Sequence, residues 1–290
     1  MKKKIAYLGP AGTFCEEAAL IKISMEKDGE LIPCSSIAGV FAAVDYGSVS
    51  QGMVPIENSC EGSVNITLDL LAYEYQLEIT EEIILPVRHN LLARPGLKNA
   101  DISTILSHSQ ALAQCRQYLA QYLDGAETLS IASTAEAAYR VSVSPEPWAA
   151  IGTQAAARAY GLDILEQEIQ DRSDNETRFV SLGQANQEAS PVGEASLNPN
   201  SYKTSIILTV GHQPGALFKA LEQFYLYNIN LSKIESRPTK TGLGNYLFFI
   251  DIDGHRWEPH IIRALDGLRN LVHDLRILGS YQAASNHHVS

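Results

Sequence analysis

The chain has 290 residues, enough for two domains, and its 45% hydrophobic and 19% charged residues are the balance of a globular protein with a sizeable core. A formal net charge of −11, with no basic run beyond Lys2-Lys3-Lys4, excludes nucleic acid as a partner, while a few local arginines could still favour an anionic substrate. No stretch reaches about 18 apolar residues, which excludes a membrane span, and four scattered cysteines without a CxxC pair exclude a disulfide framework and a zinc site, so a cytoplasmic protein is expected.

In chain order, Lys4–Leu8 reads as a buried strand, too short and too soon broken for a signal peptide. Gly9-Pro-Ala-Gly-Thr13 is a turn into a helix from about Thr13 to Lys27, with Phe14, Ala18, Ile21 and Met25 on one stripe. Free N–H groups at such a turn suit an anion. Neither a P-loop lysine nor GxGxxG follows. A strand near Leu31–Pro33 and a helix capped by Ser36 come next, then a strand that ends at Pro55 and the polar cluster Glu57-Asn58-Ser59. With Ser63, that cluster is placed at the start of a helix over about 64–73, as a second part of the anion site.

The extended segment 78–93 is read as a crossing into a second lobe that repeats the rhythm. Its strands near Thr104–Leu106, Thr128–Ile131 and Trp148–Ile151 run into Ser107-His108-Ser109-Gln110, Ser133-Thr134 and Gly152-Thr153, so three helices are expected to open on hydroxyl residues. His108 reads as a structural hydrogen-bonder. A strand at Ile164–Glu168 returns to the first lobe. This alternation predicts a parallel, doubly wound α/β sheet in each lobe, with ligands at the carboxyl ends of the strands.

The return ends at Asn175-Glu176-Thr177-Arg178-Phe179, which sets a hydroxyl, a guanidinium and a ring side by side. In an extended segment Thr177 and Phe179 point one way and Arg178 the other, whereas in a turn entering a strand the hydroxyl and guanidinium converge. Arg178 supplies a fork matched to a carboxylate, and Thr177 a rotatable donor.

Residues 184–201 are polar, with two prolines, and read as a linker. The last 80 or so residues give the order βαββαβ of a ferredoxin-like split unit, and 283–290 a tail whose paired histidines are not taken as a metal site.

Taken together, Gly9-Pro-Ala-Gly-Thr-Phe14, Val54-Pro-Ile-Glu-Asn-Ser-Cys-Glu-Gly62, Ser107-His-Ser-Gln-Ala-Leu-Ala-Gln-Cys115, Ser133-Thr-Ala-Glu-Ala-Ala138 and Asn175–Phe179 resemble, in order and spacing, the prephenate dehydratase family. The final unit resembles an ACT regulatory domain, through Gly215-Ala-Leu-Phe-Lys-Ala-Leu221 and Glu235-Ser-Arg-Pro238. The resemblance implies a single-function enzyme without a fused chorismate mutase. Its architecture would be a two-lobed, doubly wound catalytic domain like type II periplasmic binding proteins at 1–183 (lobe one about 1–78 and 165–183, lobe two about 79–164), a linker at 184–201 and the ACT domain at 202–282.

The implied reaction is decarboxylating dehydration of prephenate to phenylpyruvate on the way to phenylalanine, with no cofactor. Thr177 and Arg178 would be catalytic, and Thr13, Glu57, Asn58, Ser59, Ser63, Gln110, Ser133, Thr134 and Phe179 would bind substrate. Gly215, Ala216, Leu217, Asn230, Leu231, Glu235 and Ser236 would bind L-phenylalanine as a feedback inhibitor, in a homodimer or homotetramer. Arogenate dehydratase is the nearest alternative, and a non-catalytic anion or amino-acid binding protein a remote one. The linker implies a catalytic part that folds without the last unit.

Overall fold

The computed structural model describes residues 3–24, 29–185, 202–239 and 246–284. It divides into two compact units, one of Met1–Leu68 with Ile83–Phe179, the other of Asp69–Glu82 with Val180–Ser290. In the first unit, β1 (Lys3–Leu8) pairs in parallel with β2 (Gly29–Cys34) and β3 (Gln51–Asn58). Strand β4 (Gly62–Ser63) folds back antiparallel on β3, so Asn58 and Ser59 lie in a hairpin and not at a helix start as expected. The full order is β2-β1-β3-β11-β5, where β5 is Leu77–Pro86 and β11 is Glu176–Gln184. Helix α1 (Phe14–Ser24) covers this sheet, burying Cys15, Ala18 and Ala19 with Ile5, Tyr7, Met53, Leu85 and Phe179. Helix α2 (Ile37–Asp45) is capped by the Ser36 hydroxyl, as its sequence indicates. Helix α3 (Asn65–Asp69) continues as a π turn over Leu70–Glu74.

The second sheet has the order β10-β6-β9-β7-β8, from β6 (Asn90–Ala93), β7 (Thr104–Ser107), β8 (Glu127–Ser130), β9 (Trp148–Gly152) and β10 (Asp163–Glu166). Leu91, Ile105, Ala149 and Ile151 face one core and Leu92, Leu106 and Ala150 another. Burial on both faces is why these strands read as unbroken apolar runs. Helices α4 (Ser109–Gln114), α5 (Arg116–Tyr122), α6 (Thr134–Val143) and α7 (Gln154–Tyr160) flank it. Ser133 and Thr153 cap α6 and α7 through their hydroxyls, but α4 is opened by His108, not by a hydroxyl. Ser107 is still in its strand, donating to the Ile151 carbonyl. Two boundaries move: β5 belongs to the first sheet, so the second sheet begins at Asn90 and not at 79, and β10 closes the second sheet rather than leading back at 165. Neither sheet is wholly parallel: β4 runs antiparallel to β3 in the first, and β6 antiparallel to both β9 and β10 in the second.

The second unit holds β12 (Tyr202–Thr209), α8 (Ala216–Leu226), β13 (Leu231–Pro238), β14 (Tyr246–Asp253), α9 (Pro259–Arg269) and β15 (Asp274–Gln282), the expected βαββαβ order, in a sheet ordered β13-β14-β12-β15. Ile206, Leu208, Phe224, Ile250, Ile252, Ile261 and Leu265 fill the space between sheet and helices. Residues 69–82 pack in the same unit. Arg276 donates to the carbonyls of Leu71 and Tyr75 at 2.7 and 2.8 Å, and Glu82, its side chain fully buried, pairs with Lys203 at 2.8 Å. A Cβ on Gly279, at φ 152, would stand 2.1 Å from the Ile79 oxygen, so only glycine fits that approach. The expected division at 183 therefore differs from the compact units. The linker proper, 186–201, and the tail end, 285–290, lie outside the described residues.

Candidate active site

A cavity of about 420 Å³ in the first unit is lined from both sheets. Strand β11 delivers Thr177 and Phe179 to it; Arg178, one residue out of phase, is not in the lining. Alternation along a strand therefore wins over the converging turn. The Arg178 guanidinium is buried and stands 3.7 Å from the Glu57 carboxylate, and Glu57 is likewise outside the lining. Arg178 as a carboxylate clamp and Glu57 as a substrate contact do not fit this geometry. Ser59 also lies off the cavity, where its hydroxyl accepts from the Glu176 N–H at 2.9 Å and secures the hairpin.

Asn58, Ser63, Gln110, Ser133, Thr134 and Thr13 do line it. Thr13 works locally as a helix cap, donating to the Leu8 carbonyl and accepting from the Glu16 N–H. The preceding turn is not an open anion site, because the Gly12 N–H goes to the Glu16 carboxylate at 2.6 Å. Gly12 instead serves packing. At φ 86 its Cβ would come within 2.7 Å of the Ala156 backbone, and its carbonyl accepts from Thr153 at 2.8 Å.

The polar centre is a run of carboxamides. The Asn58 oxygen accepts from the Cys60 and Glu61 N–H groups at 3.0 and 2.9 Å, which turns its amide nitrogen toward Asn175 Oδ1 at 2.8 Å and Thr177 Oγ1 at 2.9 Å. Asn175 then donates to Gln114 Oε1 at 3.3 Å, and His89 Nε2 meets the same oxygen at 3.0 Å. With its lone pair engaged by Asn58, the Thr177 hydroxyl keeps its own proton for the cavity. Phe14, Val87, Val64 and Phe179 supply apolar walls. Among the described lining residues there is no Arg or Lys; Glu61 is the one carboxylate, and burial lowers the His89 pKa, which keeps its ring neutral.

Sequence reasoning missed His89 and Gln114, and treated Phe14 as core only. Gln114 sits four residues after Gln110, the spacing of one helix face, and that signal was available. His89 is a single loop residue with no periodic partner.

In the second unit Gly215, Ala216 and Leu217 line a separate cavity of about 610 Å³ with His212, Phe218, Tyr246 and Phe248. Gly215 is the N-cap of α8 in the left-handed region, at φ 81. Ser236 is exposed on β13 in register with Phe248. The other expected effector residues are elsewhere. Asn230 donates to Asp253 at 2.7 Å in a different pocket, Leu231 packs on the core, and Glu235 pairs with Lys233 and Arg237.

Fold and cavity define an α/β enzyme whose cleft presents hydroxyl and carboxamide donors to a small molecule, followed in sequence by an antiparallel α/β unit. The chain belongs to the prephenate dehydratase family, carbon–oxygen lyases, whose model matches residues 5–187. It is 39% identical to the prephenate dehydratase of Bacillus subtilis over 97% of this chain and 99% of that one. The prephenate dehydratase of Arthrobacter aurescens, solved in complex with L-Phe, is 37% identical with a TM-score of 0.85, over 97% of this chain and 90% of that one. A structure described as GqqA, a novel type of quorum quenching acylase, is 30% identical with a TM-score of 0.84, over 97% and 98%.

Proposed function

We propose that the cavity converts prephenate to phenylpyruvate, carbon dioxide and water, and the observation that carries this is the Thr177 hydroxyl, which lines the cavity and accepts from Asn58 at 2.9 Å, so that its own proton is left to donate there. The bond to the ring carboxylate breaks and its electron pair enters the ring. The ring carbon–oxygen bond breaks, and hydroxide leaves and takes a proton from solvent to become water. Thr177 donates a hydrogen bond to that departing oxygen, in a site where such a preorganised donor counts most. The carboxylate that stays is held by the first-turn N–H groups of α6 behind Ser133 and Thr134, and by the amides of Gln110 and Gln114. The carboxylate that leaves sits against the apolar side, toward Phe14, Val87 and Phe179, which favours neutral carbon dioxide over the anion.

The βαββαβ unit is read as an ACT domain, and the cavity at Gly215–Leu217 as the phenylalanine site. The N–H groups at the start of α8 face the amino-acid carboxylate, and Phe218, Tyr246 and Phe248 surround its ring. Phe218, Ile234 and Tyr246 are exposed beside an unpaired edge strand, which supports pairing with a second copy of the chain and hence a homodimer or homotetramer. No helix among the described residues is long and apolar enough to cross a membrane, and a cytoplasmic location fits this role.

The test is turnover by the purified full chain of prephenate, of arogenate and of an N-acyl amide. Phenylpyruvate from prephenate, several-fold faster than phenylalanine from arogenate, is expected. Hydrolysis of the amide without either dehydration would transfer the assignment to the acylase.

A further inference from the structure

The carboxamide run has a direction, and the direction fixes the state of a residue that nothing above explains. Two backbone N–H groups hold the Asn58 oxygen, so Asn58 donates to Asn175, Asn175 donates to Gln114, and the Gln114 atom between Asn175 and His89 is its oxygen. An oxygen 3.0 Å from His89 Nε2 requires a proton on that nitrogen. The other ring nitrogen, Nδ1, is buried with no hydrogen-bond partner among the described residues, and in a neutral ring with the proton on Nε2 it carries only a lone pair. The ring has little freedom. It is 3% exposed, Phe14 meets it edge-on at 5.9 Å, and its backbone is tied to Gln170 and Ile169 at 2.9 and 2.8 Å.

We propose that His89 is a positioning residue of the reaction, which as the Nε2–H tautomer holds Gln114 with its amide NH₂ turned into the cavity. Two donors converge on the Gln114 oxygen, from His89 and Asn175, and occupy both its lone pairs. The nitrogen is left toward the substrate, where it donates to a carboxylate. Without His89 the amide can rotate and present an oxygen to that anion, which repels it. This assignment rests on the dehydratase reading of the cavity.

The experiment measures kcat and KM for prephenate in the full chain and in His89→Leu, His89→Gln, Gln114→Ala and the His89→Leu/Gln114→Ala double variant. His89→Leu should lower kcat/KM about tenfold, mostly through KM, and His89→Gln, which retains a donor, should recover most of that loss. In the Gln114→Ala background His89→Leu should cost less than about twofold, since the group it positions is gone. An equal loss in both backgrounds overturns the proposal, as does a His89→Gln variant that folds and is as poor as Leu. Nitrogen-15 NMR of the wild-type imidazoles gives an answer without turnover. A protonated Nε2 with a bare Nδ1 is expected, and the Nδ1–H tautomer would overturn the assignment even if prephenate proves not to be the substrate. A wild-type chain inert toward prephenate would sink the reaction and leave the NMR result to judge His89.

Discussion

Thr177→Ala isolates the proposed donor from the scaffold that aims it. In the wild type the Asn58 amide nitrogen is shared among Thr177 Oγ1, Asn175 Oδ1 at 2.8 Å and the Glu176 carbonyl at 3.1 Å. Deleting the hydroxyl therefore leaves Asn58 with two acceptors and orphans no buried donor, and the loss of one hydrogen bond costs about 0.5–1.5 kcal/mol of stability. The effect on the reaction is larger, because the hydroxyl opposes charge that appears only as hydroxide departs. Removal of one such donor raises a barrier by about 2.7–4 kcal/mol, or about 10²–10³ in rate. Initial rates of phenylpyruvate formation, with a thermal melt of each variant, separate the two effects. Thr177→Ser should stay within about tenfold of wild type, and Thr177→Val, which keeps the volume, should match Ala. A folded Thr177→Ala enzyme working near the wild-type rate would refute the argument outright.

Arg178→Leu removes the partner of the partly exposed Glu57 and not a cavity group, so it should lower stability by about 1 kcal/mol while the KM of the folded enzyme stays near wild type; a large KM rise would return Arg178 to the cavity. Truncation after residue 201 should give insoluble protein, because it strips Arg276 and Lys203 from residues 69–82 and leaves Glu82 buried without its cation; a soluble, monodisperse fragment on size exclusion would show that segment to be self-supporting. Burial lowers the His89 pKa below the ordinary 6.5, so below that value the unfolded chain binds the extra proton. His89 should thus subtract stability as pH falls through about 6.5 and nothing above it, and denaturant titrations at pH 5.5 and 7.5 should show a smaller difference in His89→Gln. Gly215→Val forces a branched side chain into the left-handed region, at about 1–2 kcal/mol, and fills the open space at the start of α8 where the ligand's carboxylate is placed; calorimetry should find phenylalanine binding lost while uninhibited turnover persists.

The local rules carried the sequence a long way where the information is local. Ser36, Ser133 and Thr153 announce their helices because a cap needs only three residues, and the two-faced core of the second sheet explains its unbroken apolar strands. Thr177 stood out for the same reason, although choosing between it and Arg178 required knowing that Glu176 already starts the strand. What failed was pairing between distant segments. Strand β5 has the length and apolar pattern of a crossing, and nothing in 77–86 says that its neighbour is β11. The glycines at 9–12 looked like an anion turn because the Glu16 carboxylate that occupies the Gly12 N–H, and the Ala156 backbone that explains Gly12, are matters of tertiary placement. His89 gave no signal at all, since its partners Gln114 and Gln170 are reached only through the fold.

A site wired through Asn58, Asn175 and Gln114 is also chemically perishable. Deamidation of any one of them would turn a nitrogen that donates into an oxygen that only accepts, and the two acceptors would then face each other across the gap. Asn58 is followed by Ser59, a small residue that favours this reaction, and amide side chains are among those that heat consumes first. Such damage sets a carboxylate against buried acceptors, so it lowers stability as well as activity. Stored or heated protein should therefore lose activity and melting temperature together as amide hydrolysis proceeds.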